Sequence, residues 1–146
     1  MSMVKGQTVL VTGGAKRLGL AVALHLAGQG YNIALHYHHS KTEAMKTAQT
    51  LYKNGVRCEL FAADLSDESQ AKELLPVVFK AFGNLSLLVN SASIFIPNEF
   101  GGQDLTLFKK HWQINYTAPY ILSCAFKTLV KNQLIPINLE LNIHLN

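Results

Sequence analysis

Thr8-Val9-Leu10-Val11-Thr12-Gly13-Gly14-Ala15-Lys16-Arg17-Leu18-Gly19 is the stretch on which the reading of this chain turns. Its first residues are β-branched and apolar, the composition of a buried parallel strand. Gly13 and Gly14 then break the strand, and helical spacing begins at Leu18, Val22 and Leu26. A strand, a glycine turn and a helix together present backbone N–H groups and a positive helix end to a phosphate. The early glycines allow a tight turn, and Gly19 allows close packing of helix and backbone. A glycine turn alone also fits a purely structural βα connection, so the rest of the chain has to decide.

Outward from that turn, the pattern repeats. Gly28-Gln29-Gly30 closes the first helix, and Tyr31 to Tyr37 reads as a second strand. Lys41 to Lys53 is helical, with Ala44, Ala48 and Leu51 on one side and Asn54-Gly55 as its stop. Val56 to Ala62 is a third strand, and Ser66 is placed to cap the helix that follows. That helix buries Ala71, Leu75, Val78 and Phe82, carries Pro76 as an irregularity, and ends at Gly83. Leu85 to Asn90 is a fourth strand. Strands alternating with helices predict an α/β fold: a Rossmann-type, doubly wound parallel sheet with helices on both faces.

From Ser91 to Gln103 the chain reads as a loop at the carboxyl end of a parallel strand, where open α/β sheets bind ligands. A long helix from about Leu105 to Lys131 follows, interrupted by Pro119, which withholds an N–H from the Asn115 carbonyl. The final residues differ in kind. Ile135, Ile137, Leu139, Leu141, Ile143 and Leu145 alternate with polar residues and proline, which predicts an edge strand or a non-native end. The division expected is therefore 1–132 as a nucleotide-binding portion and 133–146 as an atypical tail, which pairs with a second chain in a homo-oligomer or stays poorly ordered.

The 146 residues, 49% hydrophobic and 15% charged, suit one globular domain with a real core. No apolar run approaches the roughly 20 residues of a membrane helix, and Met1 to Gly6 lacks a signal-peptide core. Cys58 and Cys124 stand alone, which points to two buried thiols in a reducing, cytoplasmic setting. The net charge of +4 comes from dispersed residues, so no nucleic-acid face is expected. His36 and His38 share a strand face, but no third ligand has recognisable spacing, and no metal is expected. His25, His111 and His144 are assigned no role.

Taken together, Thr12-Gly13 through Gly19, Ala63-Asp64-Leu65, Leu88 to Ser93, and Trp112-Gln113-Ile114-Asn115 resemble the short-chain dehydrogenase/reductases in order and spacing. Within that family, Thr12 to Gly19 and Leu35-His36-Tyr37-His38-His39-Ser40 are similar to the pteridine reductases, where an arginine stands at the usual middle glycine, as Arg17 does here. The resemblance covers about residues 6 to 132.

The resemblance implies that Gly13, Arg17, Leu18 and Gly19 cradle the phosphates of NADP(H). It implies that Asp64 and Leu65 meet the adenine, and that Asn90, Ala92 and Ser93 line the ribose and nicotinamide side. Phe95 would stack a pterin-like small-molecule substrate that Arg17 and Ser93 also reach, and Asn115 corresponds to the asparagine of the catalytic tetrad. The end of the second strand adds to this. An NAD-specific site places a carboxylate there, whereas this chain has His36, His38, His39 and Ser40, facing Lys16 and Arg17. Cationic and hydroxyl donors suit a 2′-phosphate.

Two departures stand out. Asn90-Ser91-Ala92 replaces the usual Asn-Asn-Ala, and no tyrosine follows Asn132, so the family's Tyr/Lys pair is missing from these residues. On the resemblance the chain is C-terminally incomplete. Tyr37 and Lys41 have the Tyr-x-x-x-Lys spacing but fall at the adenosine end of the site. The alternatives are a non-enzymatic NADP(H)-binding module and, more distantly, a Rossmann-type methyltransferase, which would want an acidic residue after the second strand.

Overall fold

A computed structural model describes residues 4–97 and 104–132. Four strands, β1 (Thr8–Val11), β2 (Asn32–Tyr37), β3 (Cys58–Ala62) and β4 (Leu87–Val89), form one sheet in the order β3-β2-β1-β4. Every pairing is parallel, with Val9 opposite Ile33 on one side and Leu87 on the other. The chain thus moves outward from β1 to β3, then crosses back to place β4 beside β1. The crevice at the carboxyl ends of β1 and β4, where the order reverses, is the place such sheets offer to a ligand.

Side chains leave β1 and β2 alternately, and each face gathers its own core. Val9, Val11, Ile33 and Leu35 pack with Ala23 and Ala27 of α1 (Arg17–Gly28) and Ala44, Ala48 and Leu51 of α2 (Lys41–Lys53). Leu10 and Ala34 pack on the other face with Leu74, Leu75 and Val78 of α3 (Glu68–Phe82) and with Ala118 and Leu122 beyond it. Both faces are covered, as the apolar strands require.

Three local readings are corrected, while Pro76 inside α3 and Gly83 as its stop hold as expected. The buried stripe of α1 is Gly19, Ala23 and Ala27, while Leu18 is 71% exposed. Small residues at i, i+4 and i+8 let the helix lie close to the sheet, so the larger apolar residues are displaced outward. The cap of α3 is Asp67, not Ser66: its carboxylate accepts from the N–H groups of Ser69 and Gln70, while Ser66 is spent on Asp64. Pro76 lies well inside α3, which ends at left-handed Gly83. Finally, the last helix is not one kinked rod. It is α4 (Leu105–Trp112), a π-helical segment (Gln113–Thr117) and α5 (Ala118–Asn132).

In the π segment the Ala118 N–H reaches the Gln113 carbonyl, five residues back. The counting that singled out the Asn115 carbonyl assumed four-residue steps and does not apply there. The alternating tail expected from Ile135 onward, as an edge strand or a non-native end, lies outside the described residues. No helix among the described residues is long and apolar enough to cross a membrane.

Candidate nucleotide-binding cleft

The starts of the helices differ in one respect that matters. Asp67 caps α3 and Asp104 caps α4, each accepting two backbone N–H groups, and α2 has Glu43 in its first turn. α1 has neither a side-chain cap nor an acidic residue in its first turn. Its N-terminal N–H groups and positive dipole end are therefore left for an external anion. They open on a cleft of about 490 Å³ at the carboxyl edge of the sheet.

The glycine turn over which α1 sits has little freedom. Gly13 has φ of 62°, and a Cβ on it would lie 2.9 Å from the Ala92 Cα. A Cβ on Gly19 would lie 2.3 Å from the Gly13 carbonyl oxygen. Both positions demand glycine, one for its backbone angle and the other for the closeness of approach. Arg17 is the one described non-glycine residue with positive φ, at 50°. An L-residue held there costs about 1–2 kcal/mol, which glycine would avoid.

Most of the residues expected at the site come together. Gly13, Lys16, Arg17, Leu18 and Gly19 line the cleft from the first turn; His36, His38, His39 and Ser40 line it from the end of β2. Asp64 and Leu65 follow β3, and Ala92 and Ser93 follow β4. Lys16 pairs with Glu43 at 3.2 Å, exposed on both sides. The His38 and His39 rings stand 3.5 Å apart between centroids, and His38 Nε2 is 3.7 Å from an Asp64 oxygen. The Ser66 hydroxyl at 2.6 Å, its backbone N–H, and the charges of His38 and Lys110 hold the Asp64 carboxyl below the usual carboxylate range.

His36 has a different role from the one expected. It is 2% exposed, and both ring nitrogens are engaged within the protein. Nδ1 accepts from the Gly13 N–H at 3.1 Å, and Nε2 lies 3.1 Å from the Ala63 carbonyl. Burial lowers its pKa, opposed by the Ala63 bond and aided by the charge of His38. His36 is thus a neutral strut, not a cationic donor to a phosphate. Among the described residues no cluster of three or more His, Cys, Asp or Glu could hold a metal.

Three expected residues do not line the cleft. Asn90 turns toward α5, where its amide donates to the Ser123 hydroxyl at 3.2 Å. Phe95 stands 89% exposed. The Asn115 side chain is spent on the segment after β4, accepting from the Ile94 N–H at 2.9 Å and donating to the Ile94 carbonyl at 2.8 Å. His111, given no role from sequence, accepts from the Ile96 N–H at 3.0 Å. Residues 111 and 115 are one helical turn apart, and 94 and 96 are two extended residues apart, so the two spacings match at about 6 Å.

Thr12 was also passed over. Its buried hydroxyl accepts from the N–H groups of Ser91 and Ala92, each at 3.0 Å, and sits 3.3 Å from the Val89 carbonyl. It therefore ties β1 to the exit of β4. A threonine ending a strand beside a glycine turn is the only signal the sequence carries for this. Tyr37 lines the cleft from the end of a strand, and Lys41 begins a helix, so the two share no helical face. Ala15, Ser91, Ile94 and Ile114 complete the lining.

Comparison with known proteins agrees with this geometry. The family model described as short chain dehydrogenase matches residues 7–133. L-rhamnose 1-dehydrogenase (NADP(+)) of Thermoplasma acidophilum is 30% identical over 131 residues, which are 89% of this chain and 52% of that protein. The crystal structure of FolM alternative dihydrofolate reductase 1 from Brucella canis, complexed with NADP, superposes with a TM-score of 0.80 at 31% identity. That match covers 88% of this chain and 51% of the other. A short chain dehydrogenase from Burkholderia cenocepacia, in complex with NADP, superposes at 0.83 with 29% identity, covering 86% and 51%. The chain spans about half the length of these relatives. With the glycine turn, the sheet order and the family match in agreement, this chain belongs to the short-chain dehydrogenase family.

Proposed function

We propose that this chain binds NADP(H) in the cleft at the carboxyl ends of β1 and β4. The observation that carries the reading is the pairing of an uncapped α1 N-terminus with a β2 exit free of carboxylates. The α1 N-terminus and the Gly13–Gly19 turn hold the bridging phosphates. Lys16, His38, His39 and Ser40 take the 2′-phosphate, and Asp64 and Leu65 receive the adenine. Ala92 and Ser93 face the ribose and nicotinamide end. The residues fit the group: the uncapped α1 N-terminus leaves its N–H groups to an anion, and the turn beneath it closes only because Gly13 and Gly19 lack Cβ atoms. Relatives solved with NADP support the same choice.

We further propose that the intact protein is an NADPH-dependent reductase of the pteridine-reductase type, acting on a pterin-like or similar carbonyl or imine substrate. Arg17 at a glycine position, the His-Tyr-His-His-Ser run and the likeness to a FolM reductase support this. When bound, the nicotinamide supplies a hydride, and a proton must be delivered as charge develops on the atom beside the accepting carbon. Arg17 and the exposed Phe95 ring orient the substrate in this reading. Asn115 keeps the segment carrying Ser93 and Phe95 in place through Ile94. None of Tyr31, Tyr37, Tyr52, Tyr116 or Tyr120 has a lysine four residues on apart from Tyr37, which lies at the wrong end. The 146 residues by themselves therefore give no meaningful turnover.

Titration of the purified chain with NADPH, followed by nucleotide fluorescence, tests the cofactor reading. Saturable binding that Gly19→Val abolishes is expected; binding indifferent to Gly19→Val contradicts it. NADPH oxidation with dihydropterin substrates is expected to stay at background. Turnover that Arg17→Ala abolishes would overturn the claim of inactivity.

A further inference from the structure

One buried side chain in the wall of the cleft has both its ring nitrogens engaged within the protein. His36 stands at the end of β2, and residue 36 receives both amides of the glycine turn. Its ring Nδ1 accepts from Gly13 at 3.1 Å, and its backbone carbonyl accepts from Gly14 at 3.0 Å. On the far side Nε2 meets the Ala63 carbonyl at 3.1 Å. A carbonyl only accepts, so Nε2 must carry the proton; an amide N–H only donates, so Nδ1 must not. The two contacts admit a single state, the neutral Nε2–H tautomer.

Gly13 is confined on its other sides too. It lies against the Ala92 backbone, and its carbonyl abuts Gly19 at the foot of α1. Protonating Nδ1 would place an N–H against the Gly13 N–H, and the turn could not yield without moving Ala92 or Gly19. The ionisable groups around the ring are few. His38 lies just past the end of β2, Asp64 pairs with His38 from the β3 exit, and Lys16 and Arg17 stand exposed on the glycine turn.

We propose that His36 is a positioning residue: its neutral Nε2–H tautomer sets the glycine turn in its phosphate-binding shape, so that protonating His36 weakens NADP(H) binding. This rests on the cofactor reading above. It adds a residue that acts through Gly13 without contacting the nucleotide.

Two experiments on the full chain test it. In the nucleotide-free protein, long-range proton–nitrogen correlation spectra are expected to show His36 protonated at Nε2 alone. The Gly13 amide is expected to shift and exchange faster as His36 titrates. A proton on Nδ1 at neutral pH, or a Gly13 amide unmoved by that titration, overturns the inference.

NADPH binding is then compared between the native chain, His36→Asn and His36→Phe from pH 7.5 to 5. Asparagine keeps an acceptor near Gly13 that does not titrate, and is expected to bind more tightly than phenylalanine. The native affinity, divided by that of His36→Asn, is expected to fall about tenfold for each pH unit below the His36 pKa. A constant ratio overturns the inference and spares the cofactor reading. Absence of NADPH binding at every pH overturns both, while the tautomer spectrum still reports the strut. If His36→Phe does not fold, the native and His36→Asn profiles decide alone.

Discussion

The Gly13 carbonyl oxygen lies where a Cβ on Gly19 would come within 2.3 Å of it. Strand end and helix start are thus in contact through their backbones. A methyl group there must push α1 off the turn, because the neighbour is main chain and cannot rotate away. Gly19→Ala is expected to cost about 1–3 kcal/mol, in the range of overpacked cores. Denaturant unfolding measures this, and an unchanged midpoint would show that the two segments are not in contact.

Arg17 offers the opposite trade. Its φ of 50° suits glycine, and Arg17→Gly is expected to raise stability by about 1 kcal/mol by removing the left-handed penalty. NADPH affinity should fall in the same variant, because the guanidinium leaves the cleft. Stability and binding moving apart marks a residue retained for its ligand. Both moving together would mark a structural role instead.

Thr12 is the clamp between the two strands that open the crevice. Thr12→Val keeps the shape and removes the acceptor of the Ser91 and Ala92 amides. Leaving such groups unpaired is expected to cost about 2 kcal/mol. Hydrogen exchange at Ser91 and Ala92 should quicken well before that of Leu10 in the sheet core, and uniform protection would contradict the clamp.

These three residues differ in how far the sequence discloses them. The glycine spacing and the apolar strands were legible because backbone geometry and burial on both faces restrict residue type directly. The parallel sheet with helices on both faces followed from alternation, whereas its order β3-β2-β1-β4 did not. Thr12, His36, His111 and Asn115 were not legible in the same way. Each uses a side chain to hold a backbone distant in sequence, and no local pattern records which N–H it will meet. The π segment around Asn115 was hidden for a related reason: Pro119 announces a break in the helix without saying how the following bonds are rearranged. Ser66 and Asp67 are both of a residue type that caps helices, and only the partner of Ser66, the Asp64 carboxylate, separates their roles.

The buried His36 also predicts how stability responds to acid. Its folded pKa is lowered from 6.5, chiefly by burial, so the unfolded chain takes up the proton first. Its contribution is whole above 6.5 and is lost as pH falls from there through the folded value. Asp64, lowered from 3.8 mainly by the Ser66 hydroxyl, loses its contribution in a separate, more acidic window. Urea midpoints between pH 7.5 and 5 should therefore decline in the native chain and decline less in His36→Asn. Parallel declines would assign the loss to other groups.

The two thiols should behave differently. Burial pushes the Cys58 thiol up to about 12, whereas Cys124, expected from sequence to be buried, is exposed on α5. A disulfide reagent at pH 8 is expected to titrate one thiol quickly in the folded chain and both after denaturation. Rapid reaction of both in the folded chain would contradict the packing of β3 against α2.

The central claim is that the cleft is built for a nucleotide carrying a 2′-phosphate, and paired titrations of the same preparation with NADPH and NADH test it most directly. With His38, His39, Ser40 and Lys16 lining the cleft and no carboxylate ending β2, NADPH is expected to bind at least about tenfold more tightly, the worth of one charge-assisted hydrogen bond. Equal affinity, or tighter binding of NADH, would contradict the account.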